Sequence, residues 1–187
     1  MDITQSNYIG INLKSIKMKK LLSLLIIATA FTSCNTSVES EKISGKWLLD
    51  DSRFEKGYMA GDQKDYDLVK KFLDAYENMD PQGMVDLSAE TVKFHPGDIG
   101  GVFDVDMTNT DFIVERQSNW DSISRNYIFI MPLKMEDSKN RVVTTAFTET
   151  RYVKDGTSES INFYERLYIN EQDQIMRVVQ YSRPPND

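Results

Sequence analysis

Asp65-Tyr-Asp-Leu-Val-Lys-Lys-Phe-Leu-Asp-Ala-Tyr-Glu-Asn-Met79 is the stretch from which the fold is read, together with Asp80-Pro-Gln-Gly-Met-Val-Asp-Leu87 and Thr91-Val-Lys-Phe-His95. Leu68, Val69, Phe72, Leu73, Tyr76 and Met79 recur at steps of three and four, so on a helix they form one apolar stripe. Lys70, Lys71, Asp74 and Glu77 fall on the other side. The spacing predicts a helix over 65–79 with Asp65 as its N-cap. Asp80-Pro81 then opens a second, shorter helix, Asp as the cap and Pro at the first helical position. Met84, Val85 and Leu87 supply its apolar contacts. Thr91–His95 alternates as a strand does and is stopped by Pro96-Gly97.

Further along, 98–107 is rich in Gly and Asp and reads as a loop with a short strand near 102–105. Thr108 and Asp111 have the spacing of a capping box. Phe112, Ile113, Arg116, Trp120 and Ile123 extend a helical stripe from there. The period then changes. Runs at 126–135, 141–153, 159–169 and 175–182 are strand-like, and turn-forming residues separate them at 136–140, 154–157 and 170–174. Helices followed by a meander predict an α+β domain with one antiparallel sheet. Upstream, Ile43–Leu49 reads as a short strand.

The N-terminal region has a different character. Met18-Lys19-Lys20 precedes an apolar run, Leu21 to Phe31, that is too short to span a bilayer core of roughly 20 residues. It reads as a removable signal, with Met18 as the true start and residues 1–33 removed. The run closes on Phe31-Thr32-Ser33-Cys34, which resembles a bacterial lipobox with Phe31 where Leu is usual. Cys34 is the single cysteine of the chain, so no intramolecular disulfide forms, and a lipid on its thiol accounts for it. The other reading is a plain secretory signal beside an incidental cysteine. Residues 34–42 then form a lipidated cysteine and flexible tether, and 43–187 a single domain. Lipidation implies a cell-envelope protein held to a membrane through Cys34. Asn35 in the following position favours the outer membrane.

The chain carries a net charge of −7. Residues 1–33 hold four Lys and one Asp, so the remaining 154 residues carry −10. Such a chain repels nucleic acid. One His and one Cys argue against a Cys/His metal site, and no Asp-rich calcium loop, Gly-rich phosphate loop or Gly-x-Ser-x-Gly motif occurs. No cofactor and no metal are expected.

The run Leu68–Asp80, then Met84-Val-Asp-Leu87, then Thr91–His95 resembles the opening of nuclear transport factor 2-like (SnoaL-like) domains. Phe163-Tyr-Glu-Arg-Leu-Tyr-Ile169, a turn, and Ile175-Met-Arg-Val-Val-Gln-Tyr181 resemble their ending. The resemblance covers about residues 65–183. It implies a cone, a curved antiparallel sheet wrapped on about three N-terminal helices, with a pocket at the open end. It also implies a frequent homodimer through the sheet. Its members include isomerases, cyclases and dehydratases as well as proteins without catalysis, so the fold leaves function open.

Parity selects the candidate site. If the hairpin of 141–153 and 159–169 registers odd with odd, Val143, Phe147, Phe163 and Leu167 share the core face with Glu149, Arg151 and Glu165. Charges there are costly unless paired or set in a pocket. Glu165 is the candidate acid/base or ligand-orienting group, in a strand where the resembled family often carries an acid. The alternative is a Glu165–Arg151 pair at the sheet rim. His95, the lone histidine, is the second catalytic candidate or else an exposed strand-end residue. Trp120, Tyr127, Phe147, Glu149 and Phe163 are candidate pocket-lining residues, and core packing is the other reading for the aromatics. Asp98 and Asp104 flank loop glycines and read as solvated acids. Tyr152, Tyr164 and Tyr168 share the even face, which suits a dimer interface or a solvated surface. The function expected is non-catalytic binding of a small apolar molecule or a protein partner. The alternative is a SnoaL-like acid/base enzyme of isomerase, dehydratase or cyclase type using Glu165.

Overall fold

Helix α1 covers Gln63–Glu77 and buries Val69, Phe72, Leu73 and Tyr76, the stripe read from the sequence. These coordinates come from a computed structural model that describes residues 42–139 and 141–185. Met18, the signal segment 1–33, Cys34 and residues 35–41 of the tether lie outside the described residues. The N-cap of α1 is Asp62, not Asp65. Asp65 sits in the first turn, 2 % exposed, with its carboxylate 3.0 Å from Arg141 on the sheet. An acid in the first turn suits the helix dipole, but a buried acid also needs a counter-charge, and Arg141 supplies it.

Helix α2, Pro81–Asp86, starts as predicted: Asp80 caps it by accepting the Gly83 N–H at 3.0 Å, and Pro81 occupies the first turn. We expect Asp80→Ala to cost about 1 kcal/mol, read as a lower urea midpoint with an unchanged slope. Helix α3 is Asp111–Gln117. The Thr108 capping box does not form. Thr108 is drawn back to Asp106, to which its N–H and hydroxyl both donate, and Asn109 Oδ1 accepts the Asp111 N–H at 2.9 Å.

The strands are β1 Gly45–Lys46, β2 Gly57–Ala60, β3 Ser88–His95, β4 Phe103–Asp106, β5 Trp120–Met135, β6 Arg141–Val153, β7 Ser158–Ile169 and β8 Ile175–Arg183. They form one sheet in the order β1-β2-β5-β6-β7-β8-β3-β4. Its ladders are antiparallel except β3 with β8, which is parallel. No residue pattern marks β2, a four-residue strand. It pairs with the end of β5 through Tyr58↔Met135 and neighbouring positions.

Strand β5 begins earlier than expected. Trp120 and Ile123 belong to it, not to a helix. The reason is a bulge between Trp120 and Ser122 that leaves Asp121 unpaired. Trp120 lies opposite Val153 and Ile123 opposite Arg151, so two residues three apart share one face. A bulge converts the strand period of two into a step of three and so imitates a helix. A second bulge falls between Tyr127 and Phe129. Bulges bend the strand that carries them, and here they curve the longest strand of the sheet over α1.

The β6–β7 hairpin registers odd with odd: Val143↔Leu167, Thr145↔Glu165, Phe147↔Phe163 and Arg151↔Glu159. Val143 and Leu167, both fully buried, join Leu73, Val69, Val92, Phe94, Ile175 and Val178 in the core between sheet and helices. Each large side chain so buried contributes about 1.5–3 kcal/mol. The result is an α+β cone, its concave face on the helices and its convex face bearing the even positions of β6 and β7.

Candidate functional site

A cavity of about 60 Å³ lies between α1, α2, α3 and the concave face of the sheet. Most of its wall is apolar, from Phe72, Met84, Val92, Met107, Ile113 and Val178 among others. Its polar lining comes from Arg116, Arg125, Glu165 and Gln180, and Tyr76 also borders it. A single water needs a cavity of roughly 10–15 Å³, so the space suits a molecule of a few heavy atoms.

Glu165 enters this cavity from β7 because its parity matches Leu167 and Phe163. It is 2 % exposed. Gln180, its cross-strand neighbour on β8, donates an amide N–H to Oε1. Oε2 is buried and has no hydrogen-bond partner among the described residues. Burial pushes the Glu165 carboxyl above its ordinary range, and the nearby Arg125 charge offsets only part of this. Glu165 does not pair with Arg151.

Arg151 instead belongs to a second cluster, which closes the neighbouring end of the cone. Glu149, 1 % exposed, is its centre. Glu149 Oε2 accepts from Arg125 Nε at 2.8 Å and Nη2 at 2.6 Å, and Oε1 accepts from Arg151 Nε at 2.7 Å. Arg151 Nη2 reaches Asp98 at 2.9 Å, and Arg116 Nη2 donates to both Asp98 oxygens at 3.0 and 2.9 Å. Glu159 approaches Arg151 from solvent at 3.3 Å. The guanidinium planes also stack on rings. Arg125 lies 4.6 Å from the Tyr76 ring centroid and 4.5 Å from that of Phe147, and Arg151 lies 4.4 Å from that of Trp120. Such stacking favours a weakly hydrated guanidinium over an ammonium. Burial alone would raise the Asp98 carboxyl, but Arg116 and Arg151 outweigh it and hold the group below its ordinary range.

The candidate lining residues therefore separate. Glu165, the catalytic candidate, lines the cavity, and none of Trp120, Tyr127, Phe147, Glu149 and Phe163 does, although Phe147 and Phe163 border a separate depression of about 360 Å³ beside Tyr164 and Tyr181. Phe147 packs against Tyr127 at 5.5 Å and Phe163 at 5.6 Å between ring centroids, filling that end of the cone with side chains. Tyr127 is pushed up to about 12 by burial beside Arg125. His95 is on the other face of the sheet. It pairs with Val179 in the β3–β8 ladder, opposite in parity to Phe94 and Val178 of the core, so it cannot assist Glu165. Asp98 is not a solvated loop acid but a half-buried bridge between Arg116 and Arg151. Tyr152 and Tyr164 are exposed on the convex face. Cys34 lies outside the described residues.

Sequence reasoning missed Arg116, Arg125 and Gln180. Arg125 had a readable signal, because it shares parity with Ile123 and Tyr127. It was hidden by the helical reading of 120–123. Gln180 had none, since only the β7–β8 register places it opposite Glu165. Among the described residues no three His, Cys, Asp or Glu side chains converge as a metal site requires.

No family model and no curated protein matches the chain. Solved structures do. A protein of Novosphingobium aromaticivorans proposed to be an aromatic ring hydroxylase superposes with a TM-score of 0.55 at 15 % identity, over 64 % of this chain and 87 % of that one. A nuclear transport factor 2-like protein of unknown function from an Exiguobacterium superposes with a TM-score of 0.51 at 11 % identity, over 62 % and 98 %. At these identities the likeness establishes the fold.

Proposed function

We propose that this nuclear transport factor 2-like domain is a non-catalytic binding module, displayed in the cell envelope from a lipid on Cys34. Its cavity takes a small, mainly apolar molecule with one hydrogen-bonding head group. The observation that carries the reading is the apolar cavity ending at Glu165, whose Oε2 is buried without a hydrogen-bond partner among the described residues. A ligand head that bonds to this oxygen relieves the cost of an unsatisfied buried polar group. Apolar walls supply the rest of the binding energy. Two methionines in the wall, Met84 and Met107, give it adaptable shape.

The experiment is a thermal-shift screen of small apolar alcohols, ketones and acids, with recovery of each hit by NMR. Hits should raise the melting temperature of the wild-type domain, be recovered unchanged, and lose their effect in Val178→Phe, which fills the cavity. Chemical conversion of a hit would overturn the non-catalytic reading. The anchor is tested apart from this, by incorporation of labelled fatty acid that Cys34→Ser should abolish.

A second reading has one observation in its favour. A carboxyl with a raised pKa in an apolar cavity is suited to general acid/base work. The groups beside it weigh against this. The rest of its polar lining is guanidinium and amide groups, neither of which is a general base, and burial raises Tyr76 above its ordinary range. An acid/base enzyme would have to work with Glu165 nearly alone.

A further inference from the structure

The convex face carries a group of cations that the cavity does not use. Tyr168, Arg177 and Lys93 form one row across β7, β8 and β3, and Arg166, Val179 and His95 form the next. The two rows are two residues apart on every strand, so all six side chains share a face. In an acidic chain of net charge −7, this corner gathers Arg166, Arg177, Lys93 and the lone histidine. Among the described residues its one carboxylate partner is Asp104, 3.4 Å from Lys93. Arg166 and Arg177 have no ion pair among the described residues. They lie 5.6 and 5.2 Å from the Tyr168 ring centroid, and Arg166 Nη2 donates to the Tyr58 hydroxyl at 3.1 Å.

Like charges on adjacent strands repel, and buried donors without acceptors are costly. Both conditions occur here. Arg166 Nε, Arg177 Nε and His95 Nε2 are each buried without a hydrogen-bond partner among the described residues. We propose that this corner is a binding site for a small phosphate-bearing anion, held by Arg166, Arg177 and Lys93, with His95 at its edge. Such an anion supplies what the corner lacks: negative charge and several acceptor oxygens for forked guanidinium donors. Room is available. Lys93 and Arg177, but not Arg166 or His95, line an open depression of about 490 Å³, where Thr91 and Asn170 add neutral hydrogen-bonding groups and Asp104 forms one wall.

The single histidine of the chain is a built-in reporter. Burial, then the charges of Arg177 and Lys93, hold the His95 imidazole below its ordinary range. A bound anion offsets the two cations and raises it. The test is an NMR titration of His95 in the full chain, in sodium phosphate and in sodium chloride at equal ionic strength, so that general screening is matched. The His95 midpoint should rise with phosphate, saturate, and remain low in chloride. Arg166→Gln with Arg177→Gln should weaken phosphate binding at least tenfold, while Arg177→Lys, which keeps the charge, should retain most of it. Identical His95 curves in the two salts would overturn the proposal. So would a phosphate shift that survives in the double variant with its urea midpoint unchanged. Because the corner faces away from Glu165, either outcome is independent of what the cavity binds.

Discussion

Glu149→Gln should lower folding stability by about 3–5 kcal/mol. The carboxylate is 1 % exposed and is the shared acceptor of Arg125 and Arg151, whose side chains are 3 % and 6 % exposed. The neutral amide keeps the shape but turns an NH₂ group toward one guanidinium. It also leaves two buried cations with one fewer counter-charge. Removing one partner of a buried pair strands the other, and that costs more than the intact pair contributes. A domain of this size has roughly 5–15 kcal/mol in total, so the loss would be a large share. Urea unfolding reads it directly. A loss below about 1 kcal/mol, the value of a solvated pair, would show that water reaches the cluster and that the cone is open at this end.

Glu165→Gln should have the opposite sign at neutral pH and stabilise the fold. Burial raises the Glu165 carboxyl above its ordinary value of 4.5. The folded protein therefore keeps a proton that the unfolded chain has released. The stability this proton supports is complete below pH 4.5 and is lost as pH rises through the raised value. Wild-type stability should fall across that window, and the variant should show a flatter profile. At pH 7 the variant should be the more stable of the two, with the gap closing toward pH 4. Equal pH profiles for the two proteins would mean that Glu165 is ionised and solvated in the fold, and the binding reading of the cavity would lose its centre. Binding provides a separate readout. Glu165→Leu removes the head-group contact and should weaken any cavity ligand by roughly three- to tenfold, the worth of one hydrogen bond to a neutral carboxyl.

Where periodicity was carried by side chains that face a core, the sequence was sufficient. The α1 stripe, the Asp80-Pro81 start of α2 and the odd-with-odd hairpin each follow from a pattern with one physical solution. A one-residue slip in the hairpin would send Leu167 and Val143 to the convex face, and burial forbids it. Patterns with two solutions misled. Trp120 and Ile123 at a step of three fit a helix as well as a bulged strand, and only pairing with β6 selects the strand. Thr108 could cap a helix or bind Asp106, and the nearer carboxylate wins.

The candidate site divides along the same line. Parity placed Glu165, Glu149 and Arg151 on the buried face, so the sequence by itself determined that charges would be buried and which strands would carry them. It could not determine which charge met which. Glu149 captures Arg151 because a bulged β5 brings Arg125 to the same carboxylate, and the loop after β3 swings Asp98 onto the far side of the guanidinium. Glu165 is left facing apolar walls, with Gln180 its one hydrogen-bond donor among the described residues. Local pattern fixes which face a side chain takes, because that depends on the backbone period alone. Partner choice depends on the register and curvature of strands distant in the chain, and only the tertiary structure decides it.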